Sequence, residues 1–408
     1  MAAWAASGAM ALTGPPGAPP LGPPAGLVPK LWSIARLLEV RTAALGKPVA
    51  VDPVALLGER AAIAGLDRRG TTSCGGGTRL LRAQDGWLAV SLARPDDLDL
   101  VPAWLEHGEP VEALWDLVVR VAASSSVDRL VDRGLLLGLP IAALPAAPPQ
   151  APTAPAPLAP LPIQAHRLAG GPAPALRSAD LVVADLSSLW AGPLCGSLLA
   201  AAGAQVIKVE STYRPDGTRR GPAPFFELLN AGKRSVALDL RTEDGRRALR
   251  AVVSGADVVV DASRPRALEQ LGVVADEVLT GDRPRVWASI TGHGRTSPGR
   301  DRVAFGDDAA VAGGLVAWDA QGPCFCADAI ADPTTGLVAA AAILDCLTVG
   351  GRWLLDLSMA GVAAHLAGPT LPAASAPEPA LPRARQPSGS APELGADTEA
   401  VLSALAGI

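Results

Sequence analysis

The residues best suited to chemistry lie in one short stretch, Ala331-Asp332-Pro333-Thr334-Thr335-Gly336, which leads into the largely apolar run Leu337 to Leu347. A single carboxylate stands there before two hydroxyl side chains, a glycine and an alanine-rich segment with the look of a buried helix. Thr334, Thr335 and Gly336 suit a helix start, where side-chain oxygens cap and the first backbone N–H groups lack partners. The helix dipole favours an anion at that end, so Asp332 is expected to be held ionised, ready as a nucleophile. The same residue types also make an ordinary helix cap, because Asp is a common capping residue. The surrounding chain has to decide between the two.

Composition narrows the field. The 408 residues suggest two or three domains, and a hydrophobic content of 49% is ample for a sizeable core. A net charge of −5 gives no general attraction to nucleic acid, so no such partner is expected. The longest apolar runs, such as Leu337 to Leu344, fall short of a bilayer span, and no membrane partner is expected. The N-terminus is apolar but lacks a basic start and is broken by Pro15 and Pro16, unlike a signal peptide. The five cysteines are odd in number, and Cys324-Phe325-Cys326 lacks the spacing of a zinc or redox site. Buried free thiols, a cytoplasmic location and no metal follow as expectations.

The elements that must position Asp332 are legible in order. Residues 1–27 are a low-complexity segment rich in Ala, Gly and Pro. Residues 28–147 read as a small α+β module, with an amphipathic helix over 28–46. In it a hairpin turns at Asp85-Gly86, helices follow at Leu98 to His107, Val111 to Ala123 and Leu130 to Leu137, and Leu139 to Leu144 is a closing strand. Residues 148–178 form a Pro/Ala linker.

Residues 179–366 read as a Rossmann-like, doubly wound α/β domain. Strand Leu181 to Asp185, helix Leu194 to Ala202 and strand Gln205 to Val209 make one βαβ unit. Further strands are expected at Ser235 to Leu238, Asp257 to Val260 and Val286 to Ile290, with a helix from Gly245 to Val253. The first strand-to-helix loop lacks G-x-G-x-x-G, which argues against a dinucleotide enzyme. It still brings Leu189 and Trp190 to the carboxyl end of a strand, where open α/β sheets bind ligands. Residues 367–408 are a Pro-rich tail expected to be disordered, with a short helix that docks weakly or not at all.

Five motifs in sequence carry a family likeness. Asp185 to Pro193 with Ala201 to Glu210, Asn230 to Leu240, Ala256 to Pro265, Ser289 to Asp301, and Ala331 to Gly336 together resemble the class III CoA-transferases, the formyl-CoA and carnitine-CoA transferase family. That resemblance implies transfer of coenzyme A between an acyl-CoA and a carboxylic acid. Asp332 would attack the thioester, and an aspartyl-CoA thioester would follow. It places coenzyme A on the Rossmann-like domain, against Leu189, Trp190, Ala191, Leu238, Arg241 and Ala267, with Arg241 a partner for a phosphate. Coenzyme A enters as substrate, and no permanently bound cofactor is expected. Lys208, Lys233 and Arg234 are either structural or phosphate-facing.

The chain departs from the family in detail. It has Ala262-Ser263 where Asn-Phe is usual, Gln270 where Arg or Lys is common, and Phe305 where Tyr is usual. The related 2-methylacyl-CoA racemases carry a histidine before a glycine pair. Val303 to Asp307 has none, and His293 reads as a turn residue, so racemisation is disfavoured. The order is also unusual: Gly75 to Leu144 resembles the family's C-terminal portion but comes first. A weak repeat pairs Ser7 to Val28 with Ala312 to Val338, and Gly22 stands where the second copy has Asp332. The chain therefore reads as the back half of one copy joined to the front half of another, or as a circular permutation, with the two halves in permuted order and at most one aspartate site either way. A homodimer or pairing with a related subunit is expected, and the alternative to an active transferase is a weakened paralogue that binds acyl-CoA.

Overall fold

The structure is a computed structural model that describes residues 1–107, 114–173, 177–373 and 377–406. Three helices open the chain: α1 (Ala2–Ala6), α2 (Leu27–Ala44) and α3 (Glu59–Ala64). A small module follows, with β1 (Thr78–Arg82), β2 (Trp87–Ser91), α4 (Pro95–Leu105), α5 (Leu114–Ala123), α6 (Val127–Leu136) and β3 (Ile141–Leu144). Its three strands form an antiparallel sheet in the order β1-β2-β3, turning at Asp85-Gly86 as the sequence predicts. The start of the helix expected from Val111 lies outside the described residues.

The large domain runs through β4 (Gln164–Ala169), β5 (Val182–Asp185), α7 (Ala191–Ala201), β6 (Gln205–Ser211), α8 (Ala223–Asn230), β7 (Arg234–Leu238), α9 (Glu243–Gly255), β8 (Val258–Asp261), α10 (Pro265–Glu269), α11 (Ala275–Val278) and β9 (Val286–Thr291). It continues with α12 (Gly306–Ala312), the hairpin β10 (Ala317–Trp318) and β11 (Pro323–Cys324), α13 (Ala331–Val349), β12 (Arg352–Ser358) and α14 (Met359–Leu366). The last element is α15 (Thr398–Ala406). Seven strands form one sheet in the order β4-β12-β9-β8-β5-β6-β7, parallel throughout except for β4, which runs antiparallel along β12. The fold is thus the α/β, Rossmann-like doubly wound sheet with a smaller α+β module that the sequence predicts. Strand order reverses between β5 and β8, which opens a crevice at their carboxyl ends.

Two apolar layers cover the sheet. One face carries α9, α10 and α11 with Leu249, Val252, Val253, Leu268 and Leu279. The other carries α7 and α13, with α2 and Trp4 of the first helix in the same core. Burial explains the composition of α13, whose Ala339 to Ala342 are all buried. By length and composition α13 is apolar enough to cross a membrane, yet it is packed inside the fold. At Gly336 a β-carbon would lie 2.5 Å from Ala191 O, so only glycine lets α13 and α7 approach this closely.

Several expectations need correction. Residues 1–27 hold two buried anchors, Trp4 and Met10, and α2 packs with α13 in the large core instead of with the small module. The Pro/Ala segment supplies an edge strand, β4, as well as a link. The tail is docked. Ala380 N donates to Ala5 O, Arg385 forks onto the buried Glu59, and Ala391 N donates to Glu227. Ser235 N donates to Asp397, and Val401, Leu402 and Leu405 of α15 join the apolar layer over α9. Gly22 lies under the returning chain, where a β-carbon would meet Leu371 O at 2.1 Å.

Candidate active site

Asp332 is half-buried in the first turn of α13, which begins at Ala331, earlier than the expected start at Thr334 to Gly336. The hydroxyl of Thr334 does not cap the helix. It donates back to Ile330 O at 2.8 Å, an intrahelical bond that leaves Ala331 to Pro333 free to form the first turn. Asp332 Oδ2 is pressed against α12, where a β-carbon on Gly306 would lie 2.3 Å away.

The chain reaches Asp332 through a strained turn. Ala327 and Ala329 both adopt left-handed backbone, with φ of 55° and 42°. Such a conformation costs an alanine about 1–2 kcal/mol, so neighbours must impose it. Those neighbours come from the N-terminal segment. Thr13 Oγ1 accepts from Ala327 N at 2.9 Å, Leu57 O accepts from Asp328 N at 3.4 Å, and Arg60 forks onto Asp328 at 2.8 and 2.5 Å.

Four carboxylates converge here: Asp307 and Asp308 from α12, Asp328 from the turn, and Asp332. Burial pushes Asp332 up to about 7, and the other three carboxylates push the same way against the pull of Arg60. The ionised state expected from the helix dipole is therefore not secured. Desolvation outweighs a dipole contribution of about 0.3–1 kcal/mol. Burial likewise raises Asp307 to about 6 and Asp308 to about 7. The small module buttresses this helix, since Ser91 Oγ donates to Asp308 at 2.8 Å.

The second wall is the loop after β5. Leu189 has φ of 72° and an exposed side chain, and its N–H donates to Asp216 Oδ1 at 3.1 Å. Asp216 is itself paired with the buried Lys208 at 2.8 Å. Lys233, also buried, donates to Asp185 at 2.8 Å, Pro193 O at 2.9 Å and Asn230 Oδ1 at 3.0 Å. Both lysines are thus structural and neither faces a phosphate. Arg234 reaches Asp397 of the tail at 3.6 Å.

Trp190 is buried edge-on to Phe225, with ring centroids 5.2 Å apart, and the Arg60 guanidinium lies over its ring, 5.4 Å from the indole centroid. The indole Nε1 and Thr335 Oγ1 are buried and have no hydrogen-bond partner among the described residues. Buried donors of this kind are satisfied by ligand or water.

The remaining candidate residues line the carboxyl edge of the sheet. Ala191 starts α7 against Gly336, and Ala267 is exposed on α10 after β8, so these two flank the switch-point crevice with Leu189 and Trp190. Leu238 is buried at the end of β7 and offers its carbonyl to Thr212 N. Arg241, just beyond, is held by Asp239 at 3.0 Å and stacks on the exposed Tyr213. It is already paired within its own loop. Sequence reading missed a second group of cations. Arg264 is held below the usual arginine range by partial burial and by facing Arg266, Arg94 and Arg214. The signal was present in Arg264-Pro265-Arg266, but Arg94 comes from the small module and no spacing announces it. His293 lies in the turn after β9, where burial and Arg302 push it down to about 3, so it is neutral.

Known proteins resemble this chain over part of its length. Over 189 residues the chain is 35% identical to an acyl-CoA transferase of Fusarium pseudograminearum, covering 42% of this chain and 41% of that protein. Over 143 residues it is 34% identical to the succinyl-CoA–D-citramalate CoA-transferase of Chloroflexus aurantiacus, covering 33% and 36%. A crystal structure of a CAIB/BAIF family protein from Brucella suis is 32% identical, covers 45% of this chain and 53% of its own, and superposes with a TM-score of 0.42. The chain thus spans about two fifths of the length of the curated relatives it matches. A sequence model of the family matches residues 179–396, just over half of the chain, and takes in Trp190, Gly306 and Asp332. The protein therefore belongs to CoA-transferase family III.

Proposed function

We propose that this protein transfers coenzyme A between an acyl-CoA thioester and a carboxylic acid, with Asp332 as the covalent nucleophile. The observation that carries the reading is the placement of Asp332. Its carboxylate is half-buried at the head of α13, just after a strained turn, and it shares Arg60 with the Trp190 loop that follows β5 at the switch point of the sheet.

In the first step an Asp332 oxygen attacks the thioester carbonyl carbon, the C–S bond breaks, and coenzyme A leaves as thiolate. The thiolate then attacks the Asp332 carbonyl carbon of the mixed anhydride and expels the donor carboxylate, which gives the aspartyl-CoA thioester. An acceptor carboxylate reverses both steps, leaving as the new acyl-CoA and restoring the Asp332 carboxylate. With Asp332 titrating near 7, about half the sites are ionised at neutral pH. The unpartnered donors of Thr335 and Trp190 are the side chains available to an oxyanion. Arg214 and Arg264 offer positive charge to the phosphates of coenzyme A, beside Arg94 and Arg266, which are paired with Asp97 and Asp301. The permuted order of the halves belongs to this reading, since the N-terminal segment supplies contacts to the nucleophile turn. A homodimer, or a pair with a related subunit, remains part of the proposal.

The test is chemical trapping. The protein is incubated with an acyl-CoA, quenched with hydroxylamine, and digested for mass spectrometry. A hydroxamate at Asp332, with transfer to an added carboxylate, supports the reading. Transfer without modification of Asp332 refutes its role, and binding without turnover favours a weakened paralogue.

A further inference from the structure

We infer that Arg60 is the positioning residue of this site: from α3 its guanidinium clamps Asp328, lies over Trp190, and so fixes the turn that carries Asp332 against the wall of the crevice. The inference rests on Asp332 as the nucleophile, and its test is arranged to separate the two.

Arg60 stands where four parts of the chain meet. It forks onto Asp328, fully buried between the left-handed Ala327 and Ala329, with both nitrogens within 2.8 Å. Its guanidinium carbon is 5.4 Å from the centroid of Trp190. On another side it meets the Gly75-Gly76-Gly77 run of the small module, where a β-carbon on Gly75 would lie 3.3 Å from Nη2. Its own helix is pinned by Glu59, which accepts from Arg385 of the tail at 2.6 and 3.0 Å.

No hydrogen bond joins Arg60 to Asp332 among the described residues, and the two interact through charge alone. Arg60 therefore acts by geometry and by field. A fork onto a carboxylate suits arginine and not lysine, whose ammonium is a point charge. Nothing in the spacing of residues 59–64 marks this role.

The charged and titratable groups around Asp332 are Asp307, Asp308 and Asp328; Arg60 is the cation that acts on Asp307, Asp328 and Asp332, while Arg302 faces Asp308. Cys74, next to Arg60 and Asp328, is held neutral by burial and by those carboxylates. Loss of Arg60 leaves Asp307, Asp328 and Asp332 without that counter-charge.

The experiment uses the full chain in wild-type, Arg60→Gln and Arg60→Lys forms. Carbon NMR on aspartate-labelled protein follows the Asp332 carboxyl, assigned by its loss in Asp332→Asn. We expect Arg60→Gln to raise its midpoint by about one pH unit or more, and Arg60→Lys to restore most of it. We expect kcat to fall about 10²-fold in Arg60→Gln with KM little changed, and Arg60→Lys to recover the midpoint but not kcat. An unchanged midpoint in a folded Arg60→Gln, or wild-type kcat in either variant, overturns the inference. If Arg60→Gln does not fold, Arg60→Lys alone decides, since a normal midpoint with low kcat supports the role and normal kcat refutes it. A wild-type chain that transfers no coenzyme A sinks the proposed function instead, and the NMR midpoint then decides on Arg60 by itself.

Discussion

Replacing Asp332 with asparagine should stabilise the protein, and should do so only above a particular pH. The carboxyl is pushed up to about 7 in the folded chain, by burial first and by Asp307, Asp308 and Asp328 after it. In the unfolded chain it titrates near about 3.9. The native state therefore holds a proton that the unfolded state releases between those values. Stability from this group is complete below about pH 4, declines as pH rises, and is fully lost above about pH 7. Three units at about 1.4 kcal/mol each set a ceiling of about 4 kcal/mol. Because the carboxylate is only half-buried, solvent lowers the expectation to about 1–3 kcal/mol. The assay is urea unfolding of wild-type and Asp332→Asn side by side at about pH 4.5 and about pH 8, read as the change in the difference between them. The asparagine form should gain on wild-type at the higher pH. Equal differences at both values, or a variant that loses ground as pH rises, would falsify the desolvation account of this site.

Three further outcomes follow. The initial rate of coenzyme A transfer should rise about tenfold per pH unit on the acid side and level off above about 7, as Asp332 ionises; a flat rate across that range contradicts it. Gly306→Ala places a methyl 2.3 Å from Asp332 Oδ2 and should cut kcat by about 10²-fold or more while circular dichroism stays native, because a displaced reacting atom is costly. Lys233→Met strands the fully buried Asp185 and should cost about 3–5 kcal/mol in denaturant unfolding; a loss below about 1 kcal/mol would mean that the pair is not needed for the fold.

Most of the parallel sheet is legible in the sequence because its strands are buried on both faces and read as short apolar runs. Val183, Val258, Val259 and Val260 are fully buried, and the predicted strands there match within a residue or two. The edge strand β4 escapes that logic, since Gln164, His166, Arg167 and Leu168 face solvent and leave no apolar pattern. Asp332 is found through its motif, but its protonation is not, because the three acids that raise it are brought together only by the packing of α12 against the turn before α13. In sequence Lys208 and Lys233 are open to either role, structural or phosphate-facing, and they prove buried beneath the loop, a distinction that depends on pairing across the sheet. Arg60 is silent in sequence for the same reason, since its partner Asp328 lies 268 residues away. The tail misleads through composition. Pro-rich chain buries little apolar surface, yet it can be held by backbone hydrogen bonds and the Arg385–Glu59 fork.

The crowding at Gly22 has an evolutionary consequence. In the weak repeat read from sequence, Gly22 stands where the second copy has Asp332, and a methyl there would overlap the carbonyl of Leu371. An aspartate at position 22 would therefore clash with the main chain, so the sequence likeness of the two segments does not extend to an equivalent acid.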